Sequence, residues 1–164
     1  MKLYHYIPKN ADISQGILSV SKRPDELAKY GRRAGGDNPT AITAWLEKTF
    51  VGRARAVSVL TEPVKWQGND PMLKAWTDTK CLLEIDADGL LANGLVDAIW
   101  CKEGSDKAGF NEQFHKITPD KIDFSPLPWH LCSAEQGLFF GAVRHYFLVM
   151  KDGIIPPDYI RICG

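Results

Sequence analysis

The sequence predicts one α+β domain, residues 1–164, built on a mixed or mainly antiparallel short-stranded sheet with two or three helices. Three observations predict it. The apolar runs are short and end at Gly, Pro or acidic turns, as in "AVSVLTEP", "CLLEIDADG" and "HYFLVMKDG". One stretch spaces its apolar residues as a helix does, with Ile42, Trp45, Leu46 and Phe50 recurring after Asn38-Pro39-Thr40. The connections between apolar runs are long and polar, which disfavours a repeated strand-helix-strand unit. No linker separates two blocks that each carry enough apolar periodicity to be a domain.

Met1 to Tyr6 reads as a first strand, ended by a turn at Ile7-Pro8-Lys9-Asn10, because proline disfavours helix at the preceding residue. A short helical turn is expected around Ile13, then Gly16 as a turn residue and Ile17-Leu18 as a brief apolar landing. Asp25 and Glu26 mark a helix start, where carboxylates suit the free amides. "RRAGGDNPT" reads as a mobile loop, and Asn38 or Thr40 as the cap of the next helix. Ala56 to Leu60 and Cys81 to Ile85 read as strands, the second followed by an acidic turn. A short helix is expected near Met72 to Trp76, a strand over 95–101, a loop over "KEGSDKAGFNE" and an extended proline-rich run over 118–129. Ser133 to Phe140 permits a helix, with Glu135 early in it. "HYFLVM" is a strand, and "KDGIIPPDYIRI" gives a turn and a last short strand.

Twenty basic and twenty acidic residues cancel. A chain without net charge has no global field to attract nucleic acid or an anionic membrane, although a local patch stays open. No segment has the ~20 apolar residues that cross a bilayer, and the start lacks a charged region followed by a long apolar run. The cysteines, Cys81, Cys101, Cys132 and Cys163, include no CxxC pair, so they read as reduced thiols of a cytoplasmic protein.

Several motifs weigh little. "RRAGG" follows no strand and lacks the Lys-Ser/Thr ending of a phosphate loop, though Arg32 and Arg33 suit anion contacts. "EIDADG" has acidic spacing, but position twelve counted from Asp86 is Asp97 where a calcium loop needs Glu, so a strand-ending turn explains it better. His115, His130 and His145 have no short ligand pair to nucleate a metal site, and no metal is expected. Cys132 with His130 or His145 is a thiolate-imidazole option by residue type alone. Trp66 and Trp129 stand in loop contexts, where they either plug the core or stack on a ligand.

"LYHYIPKNADISQGIL", "RARAVSVLTEP", "CLLEIDADGL" and "HYFLVMKDGIIPPDYIRI" carry a resemblance. The opening resembles the first strand, helical turn and "GIL" of small ADP-ribosyltransferase-like domains, particularly the DNA-modifying toxin group called DarT and related RES-type domains. The second and third stretches look like that group's strand ending in Ser or Thr and its hydrophobic strand with a following "ID", and the fourth is similar to its C-terminal strand, turn and "IPxxxI". The resemblance implies an ADP-ribosyltransferase-like fold and NAD as substrate, with His5 on the NAD ribose, Tyr4 or Tyr6 stacked on nicotinamide, and Thr61 supporting the first motif. It implies transfer of ADP-ribose to a macromolecule, protein or nucleic acid, or hydrolysis of NAD by the same cleft. Arg32, Arg33, Arg53 and Arg55 are candidates for pyrophosphate or a polynucleotide backbone.

The sequence departs from the group where its catalytic glutamate is expected, since Arg144, His145 and Tyr146 stand there. Glu135 and Glu62 are the substitutes, and a solvated surface role is open for each. The departure leaves room for a fold reused for binding: an inhibitor, an immunity protein or a phage or mobile-element accessory protein, with Trp and Tyr as interface anchors.

Overall fold

A computed structural model of the chain describes residues 1–63, 74–75, 78–103, 113–125 and 145–163. In chain order the strands are β1 (Lys2–Pro8), β2 (Ile17–Leu18), β3 (Ala56–Leu60), β4 (Lys80–Asp86), β5 (Val96–Glu103), β6 (Gln113–Ile117), β7 (His145–Met150), β8 (Ile154–Ile155) and β9 (Ile160–Cys163). Seven of them form one sheet in the order β6-β5-β7-β3-β1-β4-β9, and β2 pairs with β8 apart from it. Every ladder is antiparallel. The expected α+β class and mainly antiparallel sheet are therefore present.

Among the described residues four short helices have both ends placed, where two or three were expected in the chain: α1 (Pro24–Ala28), α2 (Gly31–Ala34), α3 (Pro39–Thr49) and α4 (Ala87–Ala92). The helices expected near Met72 to Trp76 and over Ser133 to Phe140 lie wholly or largely outside the described residues. Asn38 caps α3, its side chain accepting the Thr40 amide at 2.9 Å. The other two depart from the sequence reading. The expected loop at "RRAGG" begins as α2 and ends at Gly35, whose left-handed φ of 84° stops the turn. The expected acidic turn after β4 is the start of α4. Asp86 accepts the Gly89 amide at 3.0 Å and so caps the helix, while Asp88, in the first turn, pairs with the N-terminal ammonium of Met1.

The strand boundaries hold two corrections and one omission. β5 runs to Glu103, two residues into the segment expected as a loop. β1 continues through Ile7 to Pro8, in register with Cys81 and Lys80. A proline costs little at a strand's last position, and the Lys9 amide resumes bonding to the Thr79 carbonyl at 3.1 Å. The expected helical turn near Ile13 is an ordinary turn, with the Ser14 amide donating to Asp12 at 2.8 Å. Strand β6 had no counterpart in the sequence reading: it is a polar edge strand with only Phe114 and Ile117 half-buried.

Period-two alternation sorts the side chains onto two faces. On one, Leu3, Val57, Val59, Leu83, Ile85, Ile99, Leu148 and Met150 form the main core under Leu90 of α4, with Ile17 and Ile155 of the small sheet. On the other, Phe50, Phe147 and Val149 pack with Trp100 and Phe114. The Phe50 ring lies 4.9 Å from Trp100, 5.0 Å from Phe114 and 5.6 Å from Phe147, and the Arg53 guanidinium sits 4.6 Å above Phe147. A third cluster, Leu27, Ile42, Leu46 and Ala54, binds α1 to α3. Among the described residues no helix is long and apolar enough to cross a membrane.

Candidate functional site

Strand β1 is paired unequally on its two flanks. Toward β4 it is in register along its whole length, from Lys2 opposite Asp86 to Pro8 opposite Lys80. Toward β3 only Tyr4 and Leu60 are paired, so the two strands part beyond Tyr4. The next side chain on β1 fills that parting. His5 Nδ1 lies 2.6 Å from the Ser58 carbonyl, and because a carbonyl only accepts, Nδ1 carries the proton. Nε2 is then the acceptor nitrogen of the neutral ring.

The environment keeps His5 neutral. Desolvation lowers its pKa most, the Ser58 carbonyl raises it, and the positive charge of Arg23 lowers it again, leaving the net value below the ordinary 6.5. His5 shares its face with Leu3 and Ile7, on the side of the main core.

A cavity of about 240 Å³ opens further along β1, from Tyr6 to Pro8, and neither His5 nor Ser58 is among its lining residues. Tyr6, Ile7, Ile13, Ile17 and Leu18 contribute to its lining, with Asp12 and Arg23 as its charged members. Its outer wall is the chain from Ala11 to Leu18, held down where β2 pairs with β8, Ile17 opposite Ile155. Gly16 makes that contact possible. Its φ is +94°, and a Cβ there would lie 2.0 Å from the Ile155 carbonyl oxygen.

Arg23 is fixed at its backbone, where its amide donates to Val20 at 3.0 Å and its carbonyl accepts from Leu27 at 2.9 Å. Its guanidinium pairs with Glu26 at 3.1 Å, and the same carboxylate oxygen takes Lys29 at 2.8 Å. The Lys29 hydrogen bond, with both positive charges, holds the Glu26 carboxyl below the usual range. Asp12 is exposed and also held low, by the amide and hydroxyl of Ser14.

The other anticipated residues are dispersed. Tyr4 and Tyr6 project from the face opposite His5 by alternation; Tyr6 lines the cavity, whereas Tyr4 stands opposite Glu84. That carboxylate is occupied by Lys2 at 3.2 Å and Arg161 at 2.8 Å. Thr61 and Glu62 follow the end of β3 and are half-buried. The β3 residue that meets His5 is Ser58, three positions before Thr61. Arg32 and Arg33 are exposed on α2. Arg55 is structural, bonded to Asp97 at 2.8 Å and the Met150 carbonyl at 3.0 Å. Glu135 lies outside the described residues, as do Trp66, Trp76, Trp129, His130 and Cys132. Trp100 stacks on Phe50, and Trp45 packs beside Tyr30. Among the described residues no three His, Cys, Asp or Glu side chains gather as a metal site.

Ser58, Asp12, Arg23 and Glu26 are the members that the sequence reading did not assign to a site. "DIS" carried a signal for the Asp12 turn, and "RPDE" one for a helix start beside Arg23. Neither signal points to a cavity. Family models, curated proteins and solved structures give no match to this chain.

Proposed function

We propose that the chain is an ADP-ribosyltransferase-like protein that takes NAD as substrate at the β1–β3 parting and transfers ADP-ribose to a macromolecule, or to water. The observation that carries this reading is the neutral His5, locked by Ser58 in one tautomer one position before the Tyr6–Pro8 stretch of β1 that lines the cavity. A fixed ring with an acceptor nitrogen suits a ribose hydroxyl donor. The cavity, at about 240 Å³, is smaller than the roughly 300 Å³ at which ligand pockets usually begin, so it suits one half of a dinucleotide, not the whole.

The reaction breaks the glycosidic bond to nicotinamide, which leaves with the bonding electrons. An acceptor oxygen forms the new bond at the anomeric carbon, and its proton passes to a base. A carboxylate near the developing oxocarbenium charge lowers the barrier. Glu62 and Glu135 remain the candidates for that role, with Thr61 at the end of β3 and the cavity-lining Tyr6 as supports of the cleft. Arg32 and Arg33, exposed on their helix, suit an approaching acidic acceptor.

Calorimetric titration with NAD, run together with a nicotinamide-release assay, tests the reading. The expected result is saturable binding, weakened at least about tenfold in His5→Ala, with release abolished in Glu135→Ala or Glu62→Ala. No heat at millimolar NAD overturns it. A second reading, binding without chemistry, draws on the engagement of Glu26 and Glu84 by cations. NAD binding without nicotinamide release decides for it.

A further inference from the structure

We propose that Arg23 is an exchangeable anion clamp: its guanidinium rests on Glu26 in the free protein, and a phosphate or diphosphate entering the cavity takes it over while Lys29 keeps Glu26 neutralised. The proposal deepens the NAD reading by assigning the phosphate end of the ligand, and it depends on that reading only for what the phosphate is attached to.

The geometry carries it in three steps. Arg23 is the cationic member of the cavity lining, and its side chain is still 40% exposed. The guanidinium is therefore near the cavity and reachable from solvent. Its partner is shared, because Arg23 Nη2 and Lys29 Nζ converge on Oε1 of Glu26 at 3.1 and 2.8 Å. Of the two contacts the lysine's is the shorter, so withdrawing Arg23 leaves the carboxylate paired. An exposed pair of this kind contributes little, and a phosphate offers a guanidinium a bidentate, charge-assisted contact that outweighs it.

Backbone and charge fit the same exchange. The bonds to Val20 and Leu27 hold the Arg23 main chain still, so the swing is confined to the side chain. Asp12 also lines the cavity, but it is exposed, so solvent screens its repulsion of an anion. Its carboxylate suits the hydroxyls of a sugar attached to the phosphate. The favoured ligand class is thus a sugar phosphate or nucleoside diphosphate.

Inorganic pyrophosphate is the probe, titrated calorimetrically into the full chain and its variants at low ionic strength. Arg23→Gln is expected to weaken binding about tenfold, and Glu26→Gln to tighten it about threefold, because the competing carboxylate is gone. Opposite signs separate a clamp from a merely structural ion pair, whose loss would move both variants the same way. If Arg23→Gln does not fold, Lys29→Gln replaces it and is expected to weaken binding, since Arg23 is then the one ion-pair partner left to Glu26 among the described residues, with Lys80 acting on it only at longer range. Absence of pyrophosphate binding, or shifts of the same sign in the Arg23 and Glu26 variants, overturns the clamp. NAD binding that ignores Arg23→Gln overturns it while sparing the NAD reading. Arg23-dependent pyrophosphate binding without NAD binding does the reverse.

Discussion

The two flanks of strand β3 obey different rules. On the β7 side, register runs unbroken from Ala56 opposite Val149 to Leu60 opposite His145, and Phe147 closes the aromatic cluster behind it. On the β1 side, one paired position is followed by a parting that holds an imidazole. The same strand is thus continuous wall on one flank and parts from its neighbour on the other. Stability belongs to the flank whose backbone groups pair with each other, and the binding proposed above to the flank where a side chain has taken a backbone partner.

The largest expected effect breaks the wall alone. Phe147→Ala removes a ring that is 5% exposed and touches Phe50 and Phe114, and is expected to cost about 3–5 kcal/mol in urea denaturation. Pyrophosphate affinity of the folded variant should stay within about twofold of the parent. A large loss of affinity would mean that the two flanks are one unit.

Acid sharpens the contrast between the two histidines. His145, on the wall side, is pushed down to about 4 by burial and by the charge of Lys102, and His5 is lowered as well. The unfolded chain binds these protons from about pH 6.5 downward, before the folded chain does. Stability is therefore complete above that pH and falls as the pH drops toward 4. The His145 share is about 2 kcal/mol between pH 6.5 and 4.5, a window in which Glu26 and Glu84, also held low, remain ionised. His145→Gln should remove the His145 share of that slope in denaturation curves taken across the window, leaving the part that belongs to His5.

A smaller effect is expected at the cavity wall. Gly16→Ala places a methyl against the Ile155 carbonyl at a left-handed φ and should cost about 1–3 kcal/mol by thermal denaturation. Pyrophosphate binding should weaken with it. Unchanged binding in a destabilised variant would detach the wall from the site.

Much of the wall was legible in the sequence, and less of the site. Strands β3 and β7 are apolar runs between strong stops, and α3 carries a cap and a helical period, so local signals and tertiary packing agree. Strand β6 was invisible because an edge strand needs no apolar face of its own. The helices α2 and α4 are too short for a period to appear, and their start signals look like loop residues. His5 could be singled out as an awkward residue in an apolar strand. Its partner could not, because the bond goes to a carbonyl of Ser58, and a main-chain acceptor leaves no mark in residue identity. Arg23 and Glu26 read as helix-start charges, and only the return of β2 to β8 makes a cavity beside them.

The place of β7 also bears on how the chain folds in time. It lies between β3 and β5, two strands that precede it in sequence, and each has its hydrogen-bonding edge covered by β7. A nascent chain that has made β3 and β5 but not yet residues 145–150 carries two apolar strands with open edges facing each other across a gap one strand wide. Contacts this distant in sequence slow folding, and open edges invite pairing with other chains. Chaperone dependence during synthesis should concentrate in that interval and end when the strand slots in.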